Sequence, residues 1–300
     1  MKLDFYKLHL GGNSFLLIDI GKHSISTNAL SPIARQICDR RYGVGASACI
    51  FLYPDNFVRI FLPNGKEHFH SYDAFFCAAR YSFDSGYFLK TANKDRITLK
   101  TPLGDRGFYI ISPREFKISL GSPFSLTNGA RIDKNSKHSI ETIRINNKPV
   151  CISGFHIKDD IVAVNAKEVN ISSFFDLYLK INTIFTQNKT YLVYYREVAK
   201  EAMSIRTIKR GPSTSCISAA ASLVSSVLSG NPETASVFIF EKGSPSLYTQ
   251  EINLLEDFDD SRKLTILWEN ETNELFAIGS AGYTFEGSFD YRDGNIKNYE

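Results

Sequence analysis

The sequence predicts an α+β fold in two halves, and three observations carry that prediction. At 300 residues the chain has the length of about two average domains. Short β-rich runs recur between glycine, proline and asparagine signals. Each half also contains one segment that is apolar on almost every side of a helix, 72–83 (YDAFFCAARYSF) and 217–228 (ISAAASLVSSVL). That is the pattern of a buried helix, because a surface helix keeps one polar face.

In chain order, 15–18 (FLLI), 48–52 (ACIFL) and 57–62 (FVRIFL) read as strands. The tetrapeptide Pro63-Asn64-Gly65-Lys66 reads as the turn that follows them. A helix is predicted over 32–41 (PIARQICDRR), opening with Pro32 in its first turn. Ser71 precedes the first apolar helix where an N-cap belongs, and Cys216 stands at the start of the second, with Gly230 as its stop. The halves meet near Gly121-Ser122-Pro123, followed by the polar loop 127–138. Strands resume at 150–152, 161–164 and 191–195, and 263–268 pairs with 274–278 in a hairpin through 270–273. The tail 293–300 is polar and reads as frayed. Strands around one buried helix in each half amount to a weak internal duplication, visible in position and not in residue identity.

Composition excludes several classes. Thirty-five Lys and Arg against 32 Asp and Glu leave a net charge of +3, with the basic residues scattered, so neither a nucleic-acid partner nor a membrane surface is indicated. No apolar run approaches the roughly 18 residues that span a bilayer. The N-terminus breaks its apolar residues with charges and glycines and does not read as a signal peptide, so a cytoplasmic protein is the expectation. The five cysteines are odd in number and widely spaced, which argues against a disulfide framework and against structural zinc. Of the six histidines only His68 and His70 sit close together, and two ligands without a third make no metal site.

Several segments, taken together and in order, resemble the diaminopimelate epimerase family. Residues 5–15 (FYKLHLGGNSF) are similar to its opening F-x-K-M-x-G-x-G-N-D-F, and 37–46 (ICDRRYGVGA) to its C-D-R-R-x-G-I-G-A-D. Arg59-Ile60-Phe61 through Gly65 and Glu67 resembles R-x-F-N-x-D-G-S-E. Further similarities are Cys77-Ala78-Ala79-Arg80, Thr101-Pro102-Leu103-Gly104, Arg210-Gly211, Cys216, Gly279-Ser280-Ala281 and Phe285-Glu286-Gly287. The resemblance implies two pseudo-symmetric domains, 1–117 plus 284–300 and 118–283. Each would be a curled, mostly antiparallel sheet around a central helix, with an active-site cleft between them. It implies cofactor-independent chemistry on a small amino-acid-like ligand, with no metal, and leaves a homodimer open. One thiolate removes the substrate's α-proton and an opposite thiol returns a proton to the other face. Helix N-termini suit both cysteines, since free N–H groups and the helix dipole favour a thiolate and also hold a carboxylate.

The chain departs from this pattern at the first cysteine, where Ser71 stands in His70-Ser71-Tyr72-Asp73-Ala74 against the family's M-C-G-N-G. A serine hydroxyl needs an activating neighbour to act as a carbon-acid base. His156, which matches the histidine of the family's G-N-P-H, is the candidate helper. The alternative is that Ser71 is a plain N-cap with Asp73 serving the first-turn N–H groups. Asp73 would repel a substrate carboxylate, and Tyr72 and Ala74 replace glycines that admit substrate to the backbone. Cys216 fits the second cysteine, followed by Ile217-Ser218-Ala219 in place of G-T-G; it is either a base or a buried inert thiol. Asn13 matches an early substrate-site asparagine, although turn asparagines are common.

Where the family recognises the far amino-acid centre, this chain has Leu62, Gly154 and Lys209-Arg210, with Lys189 and Tyr191 near the remaining asparagine region. Lys209 in place of an acid removes the partner for a distal ammonium, so meso-diaminopimelate is not the expected substrate. Arg210 is kept as a substrate-binding candidate. It and Lys209 could hold a second anionic group, or Lys209 could face solvent. Three functions remain: a racemase or epimerase of altered specificity using a Ser71/Cys216 pair, a one-base lyase, and an inactive homologue that binds a ligand or partner. Ser/Cys pairs occur in related proline racemase-like enzymes, so the substitution alone does not exclude isomerisation.

Overall fold

Strands outnumber helices throughout the computed structural model, which describes residues 1–90, 95–133, 140–145, 148–157, 159–165, 179, 181, 183, 191–199, 202–207, 214–229, 234–239, 263–269 and 271–292. The chain separates into two units, Met1–Arg114 with Ala281–Glu300, and Glu115–Ser280.

The first unit begins with strands β1 (Lys2–Leu10) and β2 (Asn13–Asp19), which pair antiparallel with Leu10 opposite Asn13. Only Gly11 and Gly12 lie between them, at φ 57° and 73°. A two-residue hairpin in which both turn residues are left-handed matches the twist of its strands and calls for glycine at each. This turn makes Asn13 the first residue of β2.

Helix α1 (Leu30–Ile37) buries Leu30, Ile33, Ala34 and Ile37, one face at helical spacing. It stops at Ile37, short of the predicted Arg41. The Asp39 carboxylate accepts the N–H groups of Arg41 at 2.7 Å and Tyr42 at 2.8 Å, taking both from a continued helix. Those bonds, from Tyr42 and then Arg41, hold the Asp39 carboxyl below its usual range.

Strand β3 (Ala48–Leu52) is buried at every position and lies parallel to β2, while β4 (Val58–Phe61) pairs antiparallel to β3. A strand covered on both faces reads as an unbroken apolar run, which ACIFL is. The turn after β4 closes by Gly65 N–H to Leu62 O at 2.8 Å and Leu62 N–H to Lys66 O at 2.9 Å. It is flanked by a two-bond ion pair of Arg59 with Glu67, both contacts 2.7 Å. Helix α2 (Tyr72–Asp84) follows, then the hairpin of β5 (Arg96–Leu99) and β6 (Arg106–Ile110).

The last strand, Gly282–Asp290, returns to pair antiparallel with β1, so the sheet runs last strand, β1, β2, β3, β4. Alternation sorts its core into two faces. Leu3, Phe5, Leu16, Ile18, Cys49 and Phe51 cluster with α1. Phe15, Leu17, Ile50 and Leu52, equally buried, point the other way, and α2 packs against β1, β2, β3 and β5.

In the second unit, β7 (Phe116–Gly121), β8 (Phe124–Ser125), β9 (Ile140–Ile145), β10 (Lys148–Ile157), β11 (Asp159–Asn165), β12 (Tyr191–Ala199) and β13 (Ala202–Thr207) precede helix α3 (Thr214–Leu228). Strands β14 (Thr234–Ile239), β15 (Lys263–Trp268) and β16 (Leu275–Gly279) follow it. The strand order is β7, β16, β15, β14, β13, β12, β11, β10, β8, with β9 also on β10. Only β11–β12 and β13–β14 among the described pairs of this unit are parallel. Helix α3 is buried from Ser215 to Val227 and packs against every strand from β10 to β16.

The β15–β16 hairpin turns through Asn273 at φ 55°. The Asn273 side chain accepts from Trp268 Nε1 at 2.8 Å and donates to Ile132 O at 2.9 Å, which fixes the buried indole. Gly230 and the tail 293–300 lie outside the described residues.

The glycine turn before Asn13 yields a direct test. Gly12→Ala forces a β-carbon into the left-handed region and is expected to cost about 1–2 kcal/mol, read as a lower urea midpoint. Gly12→Asn, which tolerates that region, should recover most of the loss.

Candidate functional site

The sequence singles out two helix entrances, one in each unit. Ser71, extended at φ −146° and ψ 95°, is the N-cap of α2: its Oγ accepts the Ala74 N–H at 3.1 Å. Its carbonyl accepts the Phe75 N–H at 2.9 Å and opens the helical ladder. Ser71 and Asp73 are fully buried, and Tyr72 is 4% exposed with its ring edge-on to Phe75 at 6.3 Å.

The Asp73 carboxylate in the first turn accepts a hydrogen bond from Asn13 Nδ2 at 2.9 Å, and Asn13 is itself buried. The fold thus brings Asn13, Ser71, Tyr72 and Asp73 together, through the tight turn that ends at Asn13. A carboxylate in a first turn suits the partial positive charge of a helix N-terminus. Here the chain supplies that anion itself. The Asn13–Asp73 bond was not foreseen from the sequence, where the two residues stand 60 positions apart.

At the other entrance Cys216 is the third residue of α3 and fully buried, next to Ile217 and Ser218. Thr207 Oγ1 donates to Ser218 Oγ at 2.8 Å, and Ser222 Oγ donates to the Ser218 carbonyl at 2.8 Å. No acidic residue stands in the first turn of α3, in contrast to α2. Arg210, Lys209 and Lys189 lie outside the described residues.

His156, the expected helper, is an outward-facing residue of β10, with its side chain 52% exposed. Its Nδ1 is 2.7 Å from Asp160 Oδ1 on β11, directly across the ladder. Gly154 lies opposite Val162 in the same pair, Tyr191 begins β12 opposite Ile161, and half-buried Leu62 adjoins the turn after β4.

Four described cysteines, Cys38, Cys49, Cys77 and Cys216, are buried thiols outside any disulfide. Burial pushes the Cys77 thiol up, and the nearby Asp73 charge adds to it. Burial also raises Cys49, with a hydrogen bond to Cys38 contributing. Among the described residues no three His, Cys, Asp or Glu side chains cluster as metal ligands, and no helix is long and apolar enough to cross a membrane.

A cavity of about 560 Å³ in the first unit was not foreseen. Its walls include Tyr6, Lys22, Tyr81, Tyr283 and Glu286, and none of the sequence-predicted site residues. Tyr81, one of its walls, donates to the buried Asp19 at 2.9 Å, as does Tyr87. Burial and Asp19 push the Tyr87 hydroxyl up to about 12.

No family model matches the chain. Among curated proteins, the diaminopimelate epimerase of Elusimicrobium minutum is 25% identical over 311 aligned positions, covering 96% of this chain and 99% of that protein. The diaminopimelate epimerase of Pelotomaculum thermopropionicum is 34% identical over 106 positions, about a third of each chain (34% and 36%). Among solved structures, a phenazine biosynthesis PhzF-family protein from Enterococcus faecalis superposes with a TM-score of 0.56 at 14% identity, over 97% of this chain and all of that one. A hydroxyproline epimerase from Agrobacterium vitis, with bound trans-4-hydroxy-L-proline, gives 0.56 at 10% identity over 96% and 91%. These structures share the fold. The sequence likeness to the first of these diaminopimelate epimerases runs nearly end to end on both sides, at 25% identity.

Proposed function

We propose that this protein is a cofactor-independent amino-acid epimerase or racemase whose substrate is not meso-diaminopimelate, with Cys216 and Ser71 as its two proton-handling groups, acting in the cytoplasm. The observation that carries the reading is the near full-length likeness to a diaminopimelate epimerase, together with Cys216 in the first turn of α3. On this reading the two units are pseudo-symmetric halves, each a sheet curled about its buried helix. The Cys216 thiolate takes the α-proton and leaves a carbanion; the Ser71 hydroxyl, through a neighbour that regenerates it, gives a proton to the opposite face. The products are the inverted amino acid and a swapped protonation pattern, with no oxidant or reductant.

Because Asp73 already supplies the negative charge at the α2 entrance, the substrate carboxylate is assigned to the α3 entrance. The N–H groups around Cys216, Ile217 and Ser218 would receive it there, with Arg210 as its counter-charge. A carbanion formed without a cofactor depends on such fixed donors.

The same Asp73 favours a second reading, an inactive homologue. Asn13, expected to bind substrate, gives a hydrogen bond to a residue of its own chain, and Tyr72 is packed where the family has glycine.

Incubation in D₂O with diaminopimelate, ornithine, lysine, histidine and hydroxyproline, followed by NMR, separates the readings. Loss of a Cα–H signal is expected for at least one amino acid, with Cys216→Ala slowing exchange by about 10²–10⁴-fold. Exchange without inversion would instead identify a one-base enzyme, and a silent panel with folded, reduced protein would select the inactive homologue. Separately, Asn13→Ala removes a donor from a buried carboxylate and should cost about 1–3 kcal/mol. Paired with Asp73→Ala it should cost less than the sum of the single changes. Strict additivity in urea denaturation would show that the bond contributes nothing.

A further inference from the structure

The cavity of the first unit lies at the far end of α2 from Ser71: Asp84 is the last residue of that helix and Ser85 its C-cap, and both line the cavity. Its body is aromatic. The rings of Tyr6 and Tyr81 are tilted with centroids 4.8 Å apart, and Tyr283 meets Tyr6 edge-on at 6.3 Å. Two opposite charges adjoin the Tyr6 ring. Lys22 Nζ donates to the Tyr6 hydroxyl at 2.9 Å and lies 5.1 Å from that ring's centroid and 5.9 Å from that of Tyr81. Glu286, exposed on the last strand, stands directly across the ladder from Tyr6. Residues opposed in this way share a face of the sheet. Among the described residues no ion pair joins Lys22 to Glu286, whereas Asp84 is held by Arg80 at 2.7 Å.

We propose that this cavity binds a free aromatic amino acid, with its carboxylate on Lys22, its ammonium on Glu286 and its ring among Tyr6, Tyr81 and Tyr283. A cation alone does not suit the walls. Lys22, over Tyr6 and Tyr81, and the Arg80 guanidinium, 5.3 Å from the Tyr283 centroid, already take the ring faces that attract one. An anion alone would meet Glu286 and Asp84, and the C-terminal end of α2 disfavours it further. A zwitterion meets each charge with its opposite, and charge-assisted hydrogen bonds of this kind are the strong ones. The walls themselves stay neutral. Burial, with Asp84 nearby, pushes the Tyr283 hydroxyl up, and burial with Asp19 does the same for Tyr81. A ligand ring can then join the edge-on and tilted contacts that these side chains already make. The volume of about 560 Å³ is that of a small-molecule site. None of these residues belongs to either helix entrance, so the site does not depend on the catalytic reading.

Titration of the full chain with L-phenylalanine and L-tryptophan, followed by calorimetry and saturation-transfer NMR, tests this site. At least one of them is expected to bind with a submillimolar Kd, and silence of both methods up to millimolar ligand would overturn the proposal. Hydrocinnamate, which lacks the ammonium, and phenethylamine, which lacks the carboxylate, should each bind about tenfold more weakly. Alanine, with both charges and no ring, should not bind measurably. Equal affinity for the amino acid and hydrocinnamate would remove Glu286 from the site. Lys22→Met and Glu286→Gln, both exposed changes, should each weaken amino-acid binding about tenfold, while Glu286→Gln leaves hydrocinnamate at least as tight. Should Lys22→Met fail to fold by circular dichroism, Glu286→Gln gives the same decision. Cys216→Ala should bind as the wild type does. Binding lost in Cys216→Ala but kept in Lys22→Met would place the amino acid at the α3 entrance instead, and would overturn the cavity site without touching the catalytic reading.

Discussion

The constraint on which this structure depends is that two of its helices have no polar face to give to water. In α3 every residue from Ser215 to Val227 is buried, and in α2 the buried set includes both sides of the helix, from Phe75 and Phe76 to Ala78 and Ala79. Each fully buried phenylalanine or leucine contributes about 1.5–3 kcal/mol relative to exposure. That gain exists only if neighbours cover the whole circumference. Strands provide the cover: α3 touches every strand from β10 to β16, and α2 lies on β1, β2, β3 and β5. The buried serines of α3 then need partners, since an unbonded hydroxyl in an apolar interior is costly. They find them in the same strands. Ser225 bonds Tyr195 and Ser153, Ser226 donates to Glu197, and Ser218 accepts from Thr207. The polar atoms therefore fix the rotation and depth of a helix that apolar contacts alone would leave free to slide.

A helix buried on all sides also has buried ends, and the free N–H groups of its first turn must be satisfied there. The two entrances meet this need differently. At α2 the Ser71 hydroxyl accepts one N–H, and an acidic side chain, tied to Asn13, stands in the first turn. At α3 the first turn carries Thr214, Ser215 and Cys216 and no acid. The two first turns thus differ in the side chains that they carry, an acid with an amide partner in α2 and small hydroxyl and thiol groups in α3.

Much of the fold was legible because its strongest signals are local. The apolar run at 72–83 becomes α2 with Ser71 as its cap, and the runs at 48–52 and 263–268 become β3 and β15 with the same bounds. The misjudged end of α1 is also local, but it turns on a competition: whether Asp39 caps a turn or lets the helix run on depends on geometry that residue types alone do not fix. The candidate site was less legible because its decisive contact joins Asn13 to Asp73 across 60 residues, and no periodicity reports such a bond. The aromatic cavity is more remote still, built from residues 6, 22, 81 and 283. His156, matched by motif, has Asp160 beside its ring because the β10–β11 register sets the two directly opposite each other, a pairing that the motif does not report.

Ser71 itself can be weighed by what the position asks of a side chain. An N-cap must accept a hydrogen bond, and a hydroxyl oxygen does so well while a thiol sulfur does so weakly. A proton-handling residue must ionise or pass a proton within reach of neutral pH, which a thiol does readily and a hydroxyl does not. Replacing cysteine by serine at this point therefore gains in the first property and loses in the second. The 3.1 Å bond from Ala74 N–H uses one lone pair of the Ser71 oxygen and adds positive character to it, but supplies no base to take its proton. Asp73, two residues on and inside the first turn, brings negative charge nearby, which opposes the formation of an alkoxide. The two effects oppose one another, and neither provides a base for the Ser71 proton. On the proposed reading, the removal of a carbon-bound proton, the step that needs a ready base, is therefore assigned to Cys216.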